Sequence, residues 1–198
     1  MVTAQTRRGD TRRRIQDVAL ELFAERGYEK TSLREIAEHL DVTKAALYYH
    51  FKTKEDILIS IAQDLSKPVD AVIAWGEQQP RTLATKQEML RRYSEALWGA
   101  EALFRFFQEN QATVRELSIG ESFKGKITTL NGLLKEPDWP LPAQVRCMTA
   151  LFSMHAGMFA MQNIEGDPAA KRAAILDVAL DLVAQAEAEA ALVEIPNG

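Results

Sequence analysis

An all-α fold is predicted by three observations. Apolar residues recur at helical spacing along nearly the whole chain. No run alternates with the two-residue period of a strand. The breaks between patterned stretches fall at glycine, proline and capping residues. The expected organisation is a three-helix N-terminal domain over residues 1–53, with residues 1–9 as a flexible basic arm, and a helical-bundle domain over residues 54–198.

The first helical stripe is Ile15, Val18, Ala19, Leu22 and Phe23, stopped by Gly27. The second is Leu33, Ile36, Ala37 and Leu40. Thr31 or Ser32 caps it, and Ser32 with Glu35 has the spacing of a capping box. Asp41-Val42-Thr43 interrupts the pattern, and Thr43 caps a short third helix from Lys44 to Tyr49. A new cap at Thr53, with Asp56 three residues on, opens a stripe of Ile57, Leu58, Ile61, Ala62 and Leu65 that should stop or kink near Pro68. Further helical patterns cover about 86–98, 101–117 and 123–134. Three prolines between 137 and 142 make a firm loop, and two long helices follow, to about Ile164 and from Pro168 to about Leu192.

Composition narrows the function. The 198 residues are 46% hydrophobic and 26% charged, which excludes disorder of the whole chain. No 18-residue apolar stretch is free of charge, and the N-terminus lacks the apolar segment of a secretory signal. The single Cys147 excludes an internal disulfide and a multi-cysteine zinc site. A cytoplasmic protein without membrane partners is the expectation. The net charge of −4 is unevenly spread: residues 1–54 hold 11 basic against 8 acidic residues, residues 55–198 hold 13 against 20. Arg7, Arg8, Arg12, Arg13 and Arg14 crowd the start, and a basic end on an acidic body suggests contact with a polyanion. Enzyme signatures are absent: there is no His-Glu-x-x-His, no Gly-x-Ser-x-Gly and no phosphate-cradling glycine loop, and His39, His50 and His155 lack ligand spacing. No catalytic residue, metal or cofactor is expected.

The second and third helical patterns are separated by the short connection of a helix-turn-helix. Their residues carry a resemblance. Gly27-Tyr28, Thr31 to Ala37, and the long ordered run Val42-Thr43-Lys44-Ala45-Ala46-Leu47-Tyr48-Tyr49-His50-Phe51-Lys52-Thr53-Lys54-Glu55-Asp56-Ile57-Leu58 resemble the DNA-binding domain of the TetR family of transcriptional regulators, over about residues 11–62. One position departs: the family usually has glycine in the turn where this chain has Asp41. Aspartate tolerates the left-handed backbone region at modest cost, so the turn is expected to survive.

The resemblance implies a helix-turn-helix DNA-binding domain and, after it, an all-helical ligand-binding and dimerisation domain. It makes the protein a homodimeric repressor of double-stranded DNA operators, released by a small apolar effector. The alternative is a helical ligand-binding or scaffold protein that no longer reads DNA, for which Asp41 is the sequence hint. In the first reading Lys44 to Tyr49 is the recognition helix. Lys44 meets a base edge or phosphate, and Ala45 and Ala46 approach thymine methyls. Thr43 caps the helix and is counted with the DNA-binding residues, Leu47 points inward, and Tyr48, Tyr49 and His50 resemble the family's aromatic cluster, whose tips reach groove and backbone. Thr31, Ser32 and Arg34 open the preceding helix toward phosphate, although Arg34 also has Glu38 in reach at i+4. Lys54 pairs with a phosphate.

In the body, bulky side chains exceed what one stripe per helix can bury, so a pocket is expected. The candidate lining is Tyr93, Trp98, Phe106, Phe107, Asn110, Phe123, Phe152 and His155. The acidic body favours a neutral or cationic ligand over an anion. The last two helices should pair with their copies as a four-helix bundle. Ala150, Ala156, Gly157, Ala174, Ala179 and Ala186 permit close approach, and Leu151, Ile175, Val178, Leu182 and Val183 supply apolar area.

Overall fold

The computed structural model describes residues 4–98, 106, 119–161 and 164–193, and within these the side chains of 4–9, 65, 158, 159 and 193 are left aside. The described residues form eight helices and no strand: α1 (Ala4–Arg26), α2 (Leu33–His39), α3 (Lys44–His50), α4 (Lys54–Gly76), α5 (Leu83–Trp98), α6 (Ile119–Leu134), α7 (Leu141–Ala160) and α8 (Pro168–Val193). No described helix is long and apolar enough to cross a membrane. The helix expected over 101–117 lies outside the described residues, apart from Phe106.

Two compact units emerge. The head comprises Met1–Leu65 with Ala102–Glu121, and the body Ser66–Glu101 with Ser122–Gly198. The division therefore falls inside α4, whereas the sequence reading placed it before that helix. Two local expectations are corrected. The N-terminal segment is helical from Ala4 rather than a free arm, in keeping with the good helix propensity of Ala, Gln and Arg there. And α4 runs through Pro68 to Gly76. The proline removes one rung of the helical ladder, but buried Val69 and Val72 beyond it anchor the next turns by packing.

In the head, α1 presents Ile15, Ala19, Leu22 and Phe23 to a core shared with Leu33, Ile36 and Ala37 of α2, Leu47 of α3 and Ile57, Leu58 and Ile61 of α4. Gly27, at φ +87°, ends α1, as its freedom in the left-handed region allows. A polar latch sits beside this core: Gln16 Nε2 donates to Ser60 Oγ (3.0 Å) and Asp64 Oδ2 (2.7 Å), pinning α1 to α4.

In the body, α7 and α8 pack along most of their length, with Ala143, Cys147, Ala150 and Met154 facing Ala179, Val183, Ala186 and Ala190 from a buried seam. The small residues Ala150, Ala179 and Ala186 thus serve packing within the chain. Lys86 of α5 is buried beside this layer, its ammonium 2.7 Å from Glu187 and 4.0 Å from the Trp139 ring centroid. Arg81, before α5, donates to the carbonyls of Gly132 (3.0 Å) and Lys135 (3.1 Å) and so satisfies orphan acceptors at the end of α6. Cys147 is a buried packing residue; burial pushes its thiol up to about 11, and Sγ donates to the Leu134 carbonyl.

Candidate nucleic-acid interface and a cavity in the body

The α2–α3 connection decides whether the head can work. The amide of Asp41 donates to the Glu38 carbonyl (3.2 Å) and that of Val42 to the Ala37 carbonyl (3.1 Å). These are the paired bonds of a Schellman ending, with Asp41 at its left-handed position, φ 53°. Aspartate holds this conformation at lower cost than most L-residues, so the departure from glycine leaves the turn intact. Val42 packs against the core.

Thr43 then caps α3, its Oγ1 accepting from the Ala46 amide at 3.2 Å. Leu47 is fully buried and fixes the helix to the head. With that residue inward, Lys44, Ala45, Ala46 and Tyr49 face outward. Tyr49 is 61% exposed and stands edge-on to His50, centroids 5.3 Å apart. Tyr48 is half-buried against the core, with the Lys44 ammonium 5.4 Å from its ring. Lys52 Nζ donates to the Tyr48 carbonyl (2.7 Å), closing the C-terminal end of α3. Asp56 accepts from the amides of Lys52 and Thr53, both at 3.0 Å, and so opens α4.

The residues expected to open α2 toward phosphate behave differently. Thr31 is corrected outright: it is buried, and its hydroxyl donates to the carbonyls of Gly27 (2.9 Å) and Leu22 (3.3 Å), tying the α1–α2 turn. Ser32 is exposed, but its amide and hydroxyl both donate to Glu35 Oε2 at 2.8 Å, completing the capping box. These bonds hold the Glu35 carboxyl below the usual range. Arg34 is exposed and pairs with Glu38 at 2.7 Å. Lys54 is also corrected: instead of reaching freely outward, its ammonium donates to the Tyr28 carbonyl (2.8 Å) and lies 4.2 Å from the Tyr28 ring centroid. It braces the start of α4 against the α1–α2 loop. Thr31, Ser32, Arg34, Lys44, Tyr48 and Lys54 nonetheless converge on one shallow hollow of the head, joined by Glu29 and Leu33. Arg12 lies over the Phe51 ring at 4.6 Å, a contact that the charge pattern alone did not reveal.

The expected body pocket divides. Phe106 belongs to the head, packed against Phe23 and Tyr28 with centroids 5.9 and 6.1 Å away. Phe107 and Asn110 lie outside the described residues. Phe152 faces outward, 69% exposed. Tyr93, His155 and Phe123 form a packed cluster: the Tyr93 hydroxyl hydrogen-bonds His155 Nε2, and the imidazole stands edge-on to both rings at 5.5 Å. Burial lowers the His155 pKa to about 4, outweighing the opposing hydrogen bond with the Leu151 backbone. Burial also raises the Tyr93 phenol.

A cavity of about 310 Å³ lies between α5, α7 and α8, and none of Tyr93, His155 and Phe123 lines it. Of the expected lining residues that are described, only Trp98 borders it. The rest of its wall is Ser94, Leu97, Met154, Gly157, Met161, Pro168, Lys171, Arg172 and Ile175. The registers of three separate helices set this convergence, and no local sequence signal reports them.

Residues 15–61 match the family described as bacterial regulatory proteins, tetR family. The HTH-type transcriptional regulator AcrR of Shigella flexneri is 50% identical over 52 residues, 26% of this chain and 24% of that protein. The fatty acid metabolism regulator protein of Bacillus subtilis is 31% identical over 130 residues, 62% of this chain and 65% of that protein. The chain thus matches less than two thirds of the length of either relative. Among solved structures, the transcriptional regulator FadR from Bacillus subtilis, in complex with stearoyl-CoA, superposes with a TM-score of 0.58 at 21% identity, over 85% of this chain and 97% of that one, a likeness of fold. The segment 15–61 that resembles the tetR family of bacterial regulatory proteins thus includes α2, the capped turn and α3.

Proposed function

We propose that the protein is a homodimeric, DNA-binding transcriptional repressor, released from its operator by a small ligand held in the body, and that it has no enzymatic role. The observation that carries this reading is α3: one buried leucine anchors a short helix whose outward face is Lys44, Ala45, Ala46 and Tyr49. Such a helix fits the major groove, with small side chains allowing close approach and a cation for base edge or phosphate.

Dimerisation is supported by what the body leaves uncovered. Leu141, Val145, Met148 and Phe152 lie along one face of α7, from 44% to 73% exposed, and Val178 and Leu192 are exposed on α8. Apolar exposure along two packed helices is the mark of an interaction surface. A second copy laid on it completes a four-helix bundle about a two-fold axis. Two heads so joined would meet half-sites about 34–36 Å apart. The FadR structure, of like fold, holds stearoyl-CoA, a molecule with a large apolar part. Release then requires that the ligand bind the released state more tightly than the DNA-bound one.

Gel shifts against DNA flanking the protein's own gene test the reading. Lys44→Ala is expected to weaken binding about tenfold and to lower the salt slope by about one. A chain that sediments as a monomer at micromolar concentration, or a Lys44→Ala variant that binds the same DNA unchanged, would remove it.

A further inference from the structure

We propose that the cavity between α5, α7 and α8 takes a compact amphipathic anion, with its apolar body on Leu97, Met154 and Ile175 and its carboxylate on Arg172 and Lys171. The proposal deepens the ligand-release reading and rests on it for its biological sense, although binding itself does not depend on it.

The charge of the body as a whole points the other way, because its acidic residues outnumber the basic ones. The cavity reverses that sign locally. Lys171 and Arg172 are the only charged residues among the ten described residues that line it, and none of the ten carries a carboxylate. Arg172 Nε donates to Ser94 Oγ at 3.2 Å, and its guanidinium lies 5.5 Å from the Trp98 ring centroid. Those contacts fix the orientation of the fork and leave the two terminal nitrogens without a carboxylate among the described residues. Lys171 Nζ donates to the Met161 carbonyl at 3.0 Å, which uses one of its three donors. Two adjacent cations, half-buried beside Leu97, Trp98, Met154 and Ile175 and with no carboxylate against them among the described residues, form a site suited to an anion. A planar carboxylate matches the guanidinium fork.

Size sets the second constraint. A volume of about 310 Å³ is at the lower end for ligand sites. At ~30 Å³ per water-sized group it holds roughly ten heavy atoms, which is the size of octanoate and far less than a complete coenzyme A thioester. Apolar contact with Leu97, Met154 and Ile175 supplies affinity, and the cations select the head group.

Calorimetric titration of the full chain with octanoate, 1-octanol and octyltrimethylammonium tests this. Octanoate should bind about tenfold or more tightly than the alcohol, the factor expected for a hydrogen bond to a charged group. Arg172→Gln should weaken octanoate by about the same factor and leave the alcohol unchanged, and Arg172→Lys should fall between. Lys171→Gln provides an independent variant if Arg172→Gln proves unstable in a thermal melt, and the head-group comparison on the unaltered protein needs neither. Equal binding of acid and alcohol, preference for the ammonium, or octanoate affinity unmoved by both glutamine variants would overturn the proposal. Gel shifts with octanoate separate the two readings: binding without release of DNA upholds the anion site and removes the ligand-release mechanism.

Discussion

Glu187→Gln is expected to destabilise the protein by about 3 kcal/mol, the cost of breaking a buried ion pair from one side. The reason lies with its partner. The Lys86 side chain is 1% exposed, and its ammonium has Glu187 at 2.7 Å and the Trp139 ring at 4.0 Å. Glutamine can still accept a hydrogen bond, but it leaves the buried positive charge unbalanced. Lys86→Met removes that charge and leaves Glu187, 31% exposed, to be solvated, so its cost should be smaller. The double variant Lys86→Met, Glu187→Leu should return close to the original stability, because an apolar pair in this layer needs no desolvation of ions. Urea denaturation of the three variants gives the comparison. Equal losses from both single changes, adding in the double, would show that the pair is effectively solvated.

Acid should weaken the body through His155. Its folded-state pKa of about 4 lies below the ordinary value of 6.5, because burial disfavours the charged ring, which is packed against Tyr93 and Phe123. In this range the unfolded chain binds the proton more readily than the folded one, so stability falls as pH is lowered. The contribution is fully present above about pH 6.5 and is lost progressively toward pH 4, to a total of about 3 kcal/mol. His155→Gln keeps an acceptor for Tyr93 and has no proton to gain. Its deficit against the unaltered protein should therefore narrow by about 2 kcal/mol between pH 7.5 and pH 4.5, measured by denaturant unfolding at each pH. Parallel profiles for the two proteins would contradict the assignment.

Both sites concern tertiary neighbours, and that is where the sequence was least legible. The head could be read because its signals are local. Ser32 and Glu35 are three residues apart, Thr43 precedes the helix it caps, and the stripe from Ile15 to Phe23 lies within three turns. Thr31, Lys54 and Phe106 were misread for one common reason. Their side chains answer to groups brought near by folding: the Leu22 carbonyl, the Tyr28 ring, and the Phe23 and Tyr28 pair. The body's surplus of bulky apolar residues did signal that some would remain uncovered or border a cavity. Which ones was beyond composition. Phe152 and Trp98 are both aromatic and both exposed by 40% or more, yet only Trp98 borders the cavity, through the register of α5.

The cavity wall is also set by an atom that is missing. A Cβ built at Gly157 of α7 would stand 2.7 Å from Ile175 Cδ1 and 2.9 Å from its Cγ1. Both residues border the cavity, so the isoleucine keeps its position because α7 carries hydrogen where every other residue type carries carbon. Any larger residue at 157 must move Ile175, and with it the apolar wall, while Arg172 and Lys171 stay outside the clash. Shape and charge selection are thereby separable. For a biosensor built on this scaffold, position 157 is the place to change the size of the analyte accepted, one side-chain carbon at a time, with its head group still read by the same two cations.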